Sequence, residues 1–564
     1  MTAARGLHDL PSPNLETLTK SQPPDTTRLT IDEHSGESSQ GMGPPSLGRN
    51  LAATSMMRAL ALVAGLVRVP LLLGILGVNR YAIFLAILGF AQSCSMADFG
   101  IQYAVTQLVA ELRGSNDNDR IPSLVATAFW TIAAICVVLT GVVLAVFQFG
   151  AMTTRILGSD TPSGAGRVLV IGVVTMIAVQ PFAVAEAALN GFERIALVSY
   201  FSMAVVVLEM IGLITGYLLG WKSILAIGLW IFGLPLASRI SATALYIRLS
   251  RGTISISPSR FRKSQCRSLL SRGSAFFVGV FAVTVRSSFD TLIVLRVAGP
   301  QAAVAYALSL QLFATMLNFM SALPSVLWPR LAAASARQSW DWLARTYRWM
   351  VVLTLAAAVV GAASMTFLGS DLIRWWAGRV PAAQPILVLA LAALFILQSL
   401  NLTLSQTLTS LAFTRLVTFA WILEAAIKIL MVTALVRRFG AVGLVLASLG
   451  GAFATTVIVS RMIRRKTGNA LVLPAGEMSK VVGVGVFLLL GGFSVRQWLL
   501  PVRLSIPALL LAALVVSVTS AAFVGAALDR EMRTLVAERA STFRQLIRRH
   551  RDSLDTMGAR RQAD

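Results

Sequence analysis

Fourteen apolar stretches, each long enough to cross a bilayer, follow one another between Ser55 and Leu528, with short loops between most of them. A helix of about 20 apolar residues spans the hydrocarbon core, and a helix satisfies every backbone polar group within its own segment. The sequence therefore predicts an all-α polytopic membrane protein with about 14 transmembrane helices. The predicted stretches are Ser55–Leu76, Tyr81–Val109, Pro122–Phe149, Arg167–Leu189, Ala196–Leu219, Ser223–Leu249, Gly273–Val297, Ala302–Trp328, Thr346–Leu368, Ala383–Leu404, Leu416–Val436, Ala441–Met462, Ser479–Leu500 and Leu504–Leu528.

The composition agrees with a membrane location, because 56% of the residues are hydrophobic and 13% are charged. A soluble domain carries about 25% charged residues. The net charge of +24 would suggest nucleic acid in a soluble chain, but basic residues collect in the cytoplasmic loops of membrane proteins. We therefore expect no nucleic-acid partner. The three cysteines, Cys94, Cys136 and Cys266, form no disulfide framework and are expected to be free thiols.

The two tails differ in composition. Met1–Asn50 is rich in Pro, Ser, Thr and Asp and is predicted to be a disordered cytoplasmic tail rather than a signal peptide. In Asp529–Asp564, apolar residues such as Leu535 and Leu546 recur at helical spacing opposite basic residues such as Arg544. This pattern predicts a basic amphipathic helix, which either lies on anionic membrane lipids or is an ordinary solvated helix.

The distribution of Lys and Arg predicts the orientation. With both termini cytoplasmic, the inner tails and loops hold roughly 33 basic residues and the outer loops about 11. We therefore expect a multi-pass protein of the inner (plasma) membrane with cytoplasmic N- and C-termini. The most basic loop joins the sixth and seventh stretches and carries Arg248, Arg251, Arg260, Arg262, Lys263, Arg267 and Arg272.

Glycine-containing turns recur about 220 residues apart. Gly77, between stretches one and two, corresponds to Gly299, and Gly220, between stretches five and six, corresponds to Gly440. The constant offset favours a duplication, although short glycine turns also recur by chance. The predicted organisation is a tail (1–50), a first six-helix lobe (51–250), a basic linker (251–272), a second six-helix lobe (273–466), two further helices (467–528) and a basic tail (529–564).

Short segments in both predicted lobes resemble a known family, and their order and spacing cover nearly all of Asn50–Lys466. The family is the polysaccharide-transporter branch of the multidrug/oligosaccharidyl-lipid/polysaccharide exporters, which includes the O-antigen flippases and is related to the lipid II flippases. The extra pair Ser479–Leu528 looks more like the fourteen-helix lipid II flippases, so the subfamily stays open. The matching segments are Leu76-Gly77-Val78-Asn79-Arg80-Tyr81, Ala97-Asp98-Phe99-Gly100-Ile101, Leu189-Asn190-Gly191-Phe192-Glu193-Arg194, Ala305-Tyr306, Leu327-Trp328-Pro329, Trp375-Trp376-Ala377-Gly378 and Phe439-Gly440-Ala441-Val442-Gly443.

The resemblance implies translocation of a polyprenyl-pyrophosphate-linked oligosaccharide from the cytoplasmic to the outer leaflet, by alternating access of two lobes. It also implies a polysaccharide polymerase and glycosyltransferases as partners. A sugar head group is too polar for hydrocarbon and requires a water-filled cavity, whereas the lipid tail can stay in the bilayer. The pyrophosphate is an anion, for which the planar donor fork of Arg is the most suitable fixed cation.

Arginines within the predicted stretches are therefore the candidates for substrate binding, because an intramembrane charge is costly without a partner or a function. Arg68 lies inside stretch one, and Arg286 lies near the middle of stretch seven. In related flippases the first helices of both lobes line the central cavity, so this pair is the best candidate for the pyrophosphate. Arg58, nearer the end of stretch one, and Arg239 in stretch six are weaker candidates. Arg58 could equally extend to the membrane interface.

Four intramembrane acids nearly balance these bases, namely Asp98, Glu209, Asp290 and Glu424. They are candidates for coupling ions to transport or for structural ion pairs. The spacing places Arg286 and Asp290 four residues apart on one helix face, and Glu424 and Lys428 likewise, so we expect pairing within each helix.

Prolines within the stretches are candidates for bends in a moving transporter. Pro70 lies two residues after Arg68, and Pro324 interrupts stretch eight. Each is also compatible with a static packing kink.

Three other functions compete with a flippase. A drug/cation antiporter of the same superfamily would need an acidic cavity, for which Asp98 is the candidate. A membrane enzyme would need sizeable outer loops, which are short here, and the three histidines, His8, His34 and His550, all lie in the tails. A scaffold would need no charges at matched positions. The sequence thus predicts no catalytic residue, no metal and no cofactor, and no phosphate-binding Gly-rich loop for ATP.

The orientation can be tested at Cys266, which lies in the predicted cytoplasmic linker. In a Cys94→Ser/Cys136→Ser variant, an impermeant maleimide should label Cys266 in inverted vesicles but not in intact cells. A Cys266→Ser control in the same background should show no label. Labelling of intact cells would reverse the predicted orientation.

Overall fold

The computed structural model describes residues 47–527 apart from 116, 149–154, 158–161, 163, 251, 322–323, 325–326, 328–330, 332–333, 336, 379–383, 412 and 499–505. Residues 47–50 of the predicted N-terminal tail are the start of the first helix. The rest of that tail lies outside the described residues, as do the basic tail at 529–564 and Trp328 and Pro329 of the family resemblance.

The described part of the chain contains α-helices and short 3₁₀ turns and no strand, which confirms the predicted all-α class. Most described residues of each of the fourteen predicted stretches lie in these helices. They are α1 (Leu47–Ser93), α2 (Ile101–Gly114), α3 (Ile121–Phe147), α4 (Ala165–Ala178), α5 (Ala183–Gly191), α6 (Ile195–Leu218), α7 (Ile224–Leu249), α8 (Lys263–Ser288), α9 (Asp290–Met320), α10 (Trp340–Ala377), α11 (Pro385–Ser410), α12 (Thr414–Lys466), α13 (Ala475–Trp498) and α14 (Ile506–Ala527).

Ten helical segments of the described chain are long and apolar enough to cross a membrane. Three of them, Ala52–Met96, Phe277–Asn318 and Thr414–Lys466, have 45, 42 and 53 residues and overlap two predicted stretches each. A straight helix of that length would be about twice as long as the hydrocarbon core is thick. Each of these segments must therefore turn back on itself.

Glycine provides the turns. Gly77 in α1 has φ 70° and ψ 169°, and Gly299 in α9 has φ 83° and ψ 176°. Gly440 in α12 has φ 56°, and Gly220 between α6 and α7 has φ 69°. Positive φ is easily accessible only to glycine, so the four predicted turn positions are those at which the helices reverse. The matching geometry of Gly77 and Gly299 supports the duplication, and the lobe boundaries remain a prediction.

Contacts across the turns show the reversal directly. The Tyr306 hydroxyl donates a hydrogen bond to the Asp290 carboxylate at 3.0 Å, although the two residues lie on opposite sides of Gly299. In α12, the Thr455 hydroxyl donates to the Ala420 carbonyl oxygen at 3.4 Å across the Gly440 turn.

The second predicted stretch, Tyr81–Val109, is not one continuous helix. α1 ends at Ser93, a 3₁₀ turn follows, and α2 begins at Ile101. Phe99 and Gly100 have positive φ values of 49° and 76°. The Asp98 carboxylate accepts the Gln102 N–H at 3.3 Å and thereby binds one of the free donors in the first turn of α2. The break thus falls within the Asp98-Phe99-Gly100 segment that carried part of the family resemblance.

The first half of the chain, α1–α7, meets the second half, α8–α12, mainly through α1 and α2 on one side and α8 and α9 on the other. The Phe99 and Phe277 rings have centroids 4.8 Å apart, and those of Phe90 and Phe289 are 5.9 Å apart. A side chain at Gly100 would collide with the Gly273 carbonyl, so the two backbones are in direct contact there. α8 begins at Lys263, inside the predicted linker.

α13 and α14 pack on α10 of the second half. Arg348 of α10 pairs with Glu477 of α13, and the Ser364 and Ser517 hydroxyls are 3.1 Å apart between α10 and α14. The Phe487 ring of α13 contacts Phe523 of α14. The two helices beyond the predicted duplicated core are therefore attached to one half of the molecule.

Pro70 leaves a gap in the hydrogen bonding of α1, because it has no N–H to donate to the Leu66 carbonyl four residues earlier. Trp376 of α10 fills that gap by donating its indole N–H to the Leu66 oxygen at 2.7 Å. An unsatisfied backbone carbonyl is costly inside a membrane. The second half of the chain therefore completes the hydrogen bonding of the first helix.

This hydrogen bond can be tested with a double-mutant cycle. Trp376→Phe should lower the free energy of unfolding by about 1 kcal/mol, as measured by denaturant titration in micelles. The loss should be smaller in a Pro70→Ala background, because the new N–H at position 70 can serve the Leu66 carbonyl. The exposed neighbour is the control, so Trp375→Phe should have little effect in either background. Equal losses for Trp376→Phe with and without Pro70 would contradict the assignment.

Candidate functional site

Most of the predicted intramembrane charges are paired between helices. Arg68 of α1 pairs with Glu209 of α6, and Arg286 of α8 pairs with Glu424 of α12. Lys428 of α12 pairs with Asp290 of α9. A fourth pair joins Arg239 of α7 to Glu186 of α5. Each pair thus links helices that are distant in the sequence.

The Arg68–Glu209 pair is the more accessible of the two pairs formed by the best candidates. The Arg68 guanidinium donates to the Glu209 carboxylate at 3.1 Å, and the two side chains are 35% and 21% exposed. Trp230 of α7 donates its indole N–H to the Glu209 backbone carbonyl at 3.2 Å, which ties α6 to α7 at this level. Among the residues that the structure describes, no second charged group pairs with Glu209.

Arg68 lines a cavity of about 290 Å³ between the two halves of the chain. The walls come from α1, α7, α8 and α9, and most of the lining is apolar. Arg68 is the one charged group among the described lining residues. The polar lining residues are Arg68, Tyr81, Gln92, Ser287, Ser288, Thr291 and Gln311.

Arg286 belongs to a denser network beside this cavity. Its carboxylate partner Glu424 is 2% exposed and also accepts a hydrogen bond from Gln398 at 2.8 Å. The Lys428 ammonium donates to both Asp290 oxygens, at 2.7 and 2.9 Å, and to the Arg286 carbonyl. The residues next to Arg286 line the cavity, whereas its guanidinium is held by α12.

The predicted pairing within helices is wrong. Arg286 and Asp290 were expected to pair along one helix face, as were Glu424 and Lys428. The structure pairs Arg286 with Glu424 and Lys428 with Asp290, across the contact between α12 and the α8–α9 segment. The i,i+4 spacing correctly placed Arg286 and Asp290 on one face, and Glu424 and Lys428 on another. It could not show that each face meets an oppositely charged face on a neighbouring helix.

The remaining predicted residues lie away from this cavity lining. Arg58 is exposed on α1, Asp98 contacts the first turn of α2, and Arg239 is held by Glu186. Sequence reasoning missed Glu186, although an acid within the apolar run of α5 was a usable signal. Of the four arginines, the structure therefore brings only Arg68 to the described cavity.

Comparison with known proteins identifies the fold. No protein-family profile and no curated protein matches the sequence. Among solved structures, the lipid II flippase MurJ in an inward closed conformation superposes with a TM-score of 0.62 at 14% identity, covering 84% of this chain and 97% of that chain. An inward-facing multidrug resistance MATE family transporter of the MOP superfamily gives 0.52 at 14% identity, covering 76% and 96% of the two chains. An outward-facing one gives 0.51 at 11% identity, covering 76% and 97%.

These similarities show that the chain shares a fold with MOP-superfamily transporters. At such low identity they do not extend to the substrate. The polysaccharide-transporter branch and the lipid II flippases both have this fold class, so the fold does not distinguish them.

The second-half network generates a stability prediction. Lys428→Leu alone should lower the free energy of unfolding by about 3–5 kcal/mol, because it leaves the Asp290 carboxylate buried without its cation. Lys428→Leu with Asp290→Leu should recover most of that loss, because a buried ion pair replaced by apolar residues costs little. The first half shows that such packing is feasible, since buried Leu72 and Leu213 stand four residues after Arg68 and Glu209.

Denaturant titration of the purified protein measures both variants. Lys428→Leu combined with Glu424→Leu is the control. It removes the two residues that the i,i+4 spacing would pair within α12, but it leaves Asp290 and Arg286 without their partners. Recovery in that control, rather than in the Asp290 combination, would contradict the pairing across helices.

Proposed function

We propose that this chain is a flippase that moves a polyprenyl-pyrophosphate-linked oligosaccharide from the cytoplasmic to the outer leaflet of the plasma membrane. The observation that carries the proposal is the position of Arg68, a cation in a mostly apolar cavity between the two halves. A guanidinium is suited to a pyrophosphate, because its planar donors match phosphate oxygens. The shared fold with a lipid II flippase supports the same class of transport.

The proposed mechanism is alternating access. The two lobes rock about their contact so that the cavity opens to one side and then the other. The sugar crosses in the cavity while the lipid tail stays in the bilayer. Both termini are cytoplasmic in this proposal, and a polymerase and glycosyltransferases supply and consume the glycan.

Lipid II is the second candidate substrate. It is favoured by the pair α13–α14 and by the similarity to MurJ, which covers 97% of that chain. Both candidates carry a polyprenyl pyrophosphate, so the proposed role of Arg68 is the same for both. A drug/cation antiporter is disfavoured, because the one charged group among the described lining residues is a cation.

Reconstitution into liposomes tests the proposal. A polyprenyl-pyrophosphate oligosaccharide with a fluorescent group on its sugar is incorporated, and dithionite destroys the fluorescence of exposed label. Without protein, about half of the label is protected, because it faces the lumen. The wild-type chain should make nearly all of it accessible. Ethidium transport in the same liposomes distinguishes a cation exporter.

Arg68→Gln with Glu209→Gln should return accessibility to the protein-free level, because the cavity loses its cation without leaving a buried unpaired charge. Arg68→Lys should retain partial activity, since an ammonium cannot make the same bidentate contact. Arg248→Ala, at an exposed site in the last turn of α7, should match the wild type. Wild-type transport by the Arg68→Gln/Glu209→Gln variant would refute the proposal.

A further inference from the structure

The Arg68 guanidinium lies between the Glu209 carboxylate and the cavity. One of its terminal nitrogens donates to Glu209 at 3.1 Å, and the same side chain lines the cavity. A guanidinium has five N–H donors, so this single contact leaves donors for a ligand. An anion in the cavity can therefore bind Arg68, and its negative charge then repels the Glu209 carboxylate on the same guanidinium.

The Arg286–Glu424 pair of the second half has more partners than the Arg68–Glu209 pair. Glu424 has Gln398 as a second partner and lies beside the Lys428–Asp290 pair. In the first half, Leu72 and Leu213 stand four residues after Arg68 and Glu209, and both are buried. Nothing charged among the described residues would therefore compensate Glu209 if Arg68 bound another anion.

We propose that an anion entering the cavity replaces Glu209 at Arg68 and that Glu209, whose side chain is 21% exposed, then takes up one proton from solvent. This inference rests on the proposed function and adds a proton to its binding step. The O–H bond forms on the Glu209 carboxylate, and no other bond is made or broken. When the anion leaves, Glu209 gives up the proton and pairs with Arg68 again.

The physical reason is the cost of an unpaired carboxylate inside a membrane. A carboxylate that loses its cation in a low-dielectric site becomes neutral by protonation rather than staying charged. The groups around Glu209 offer no alternative partner. α1 presents Arg68 and, near it, the Tyr81 hydroxyl; α7 presents the Trp230 indole, which already donates to the Glu209 carbonyl.

The other intramembrane acids are unsuited to this exchange. Glu186 is held by Arg239, which does not line the cavity, and Glu424 has two partners. Asp98 accepts a backbone N–H of α2. Glu209 is the acid whose partner lines the cavity.

Calorimetry with a soluble polyprenyl pyrophosphate tests the exchange. Farnesyl pyrophosphate is titrated into the full-length protein in micelles, in two buffers that differ in ionisation enthalpy. The difference in heat between the buffers gives the number of protons taken up. The wild type should take up about one proton more than Glu209→Gln, because the ionisation of the ligand itself is common to both.

The affinity should also depend on pH in a defined direction. Because binding takes up a proton, wild-type affinity should rise as the pH falls, by up to about tenfold per unit beyond the change seen in Glu209→Gln. Glu209→Gln should bind more tightly at high pH, since no carboxylate competes for Arg68. Glu186→Gln, which breaks the other pair of the first half, is the matched control and should behave as the wild type.

The outcomes separate the exchange from the proposed function. Binding that Arg68→Gln/Glu209→Gln abolishes, with equal proton uptake in the wild type and Glu209→Gln, would overturn the exchange and leave the flippase proposal standing. Weaker binding by Glu209→Gln at high pH would also overturn it. No binding by any variant would count against both. If Glu209→Gln does not fold, Glu209→Ala provides the same comparison, and equal proton uptake in that variant and the wild type overturns the exchange.

Discussion

A charge inside a membrane-spanning helix is stable only beside an opposite charge or an oriented dipole, and the helix contacts of this protein follow that requirement. Arg68 links α1 to α6, and Arg286 links α8 to α12. Apolar packing alone would orient these helices weakly, because lipid tails are as apolar as leucine. The ion pairs therefore select which helix faces meet. They also place one guanidinium, that of Arg68, at the cavity between the halves.

The two halves use this requirement unequally. In the second half, two ion pairs and the Gln398 amide form a buried network, with Lys428 and Asp290 6% and 8% exposed. In the first half, buried Leu72 and Leu213 stand four residues after Arg68 and Glu209, so that pair has no second ion pair beside it among the described residues. A network with several mutual partners resists rearrangement, since no member can leave without stranding another charge. The second-half network is therefore harder to rearrange than the Arg68–Glu209 pair.

Backbone polar groups inside a membrane need partners, as charged side chains do. Every N–H and C=O in lipid needs a partner, and two interruptions in the described helices are satisfied, one locally and one by a neighbouring helix. The helix break at Phe99 is followed by a first turn that donates to Asp98. The Leu66 carbonyl freed by Pro70 accepts the Trp376 indole of the other half. Pro70, which the sequence suggests as a bend in α1, thus also creates a hydrogen bond between the two halves.

Hydropathy over a span and the φ angle of glycine are local properties, so most helices and their reversals could be predicted from the sequence. Residues such as Gly77 and Gly299 turn the chain where their position predicted. The ion-pair partners could not be predicted, because they depend on which helices pack together. Spacing places Glu424 and Lys428 on one face, but the opposing face is set by helices more than a hundred residues away. Arg68 reaches the cavity and Arg286 does not, because packing between helices, rather than depth within one, fixes what each side chain meets.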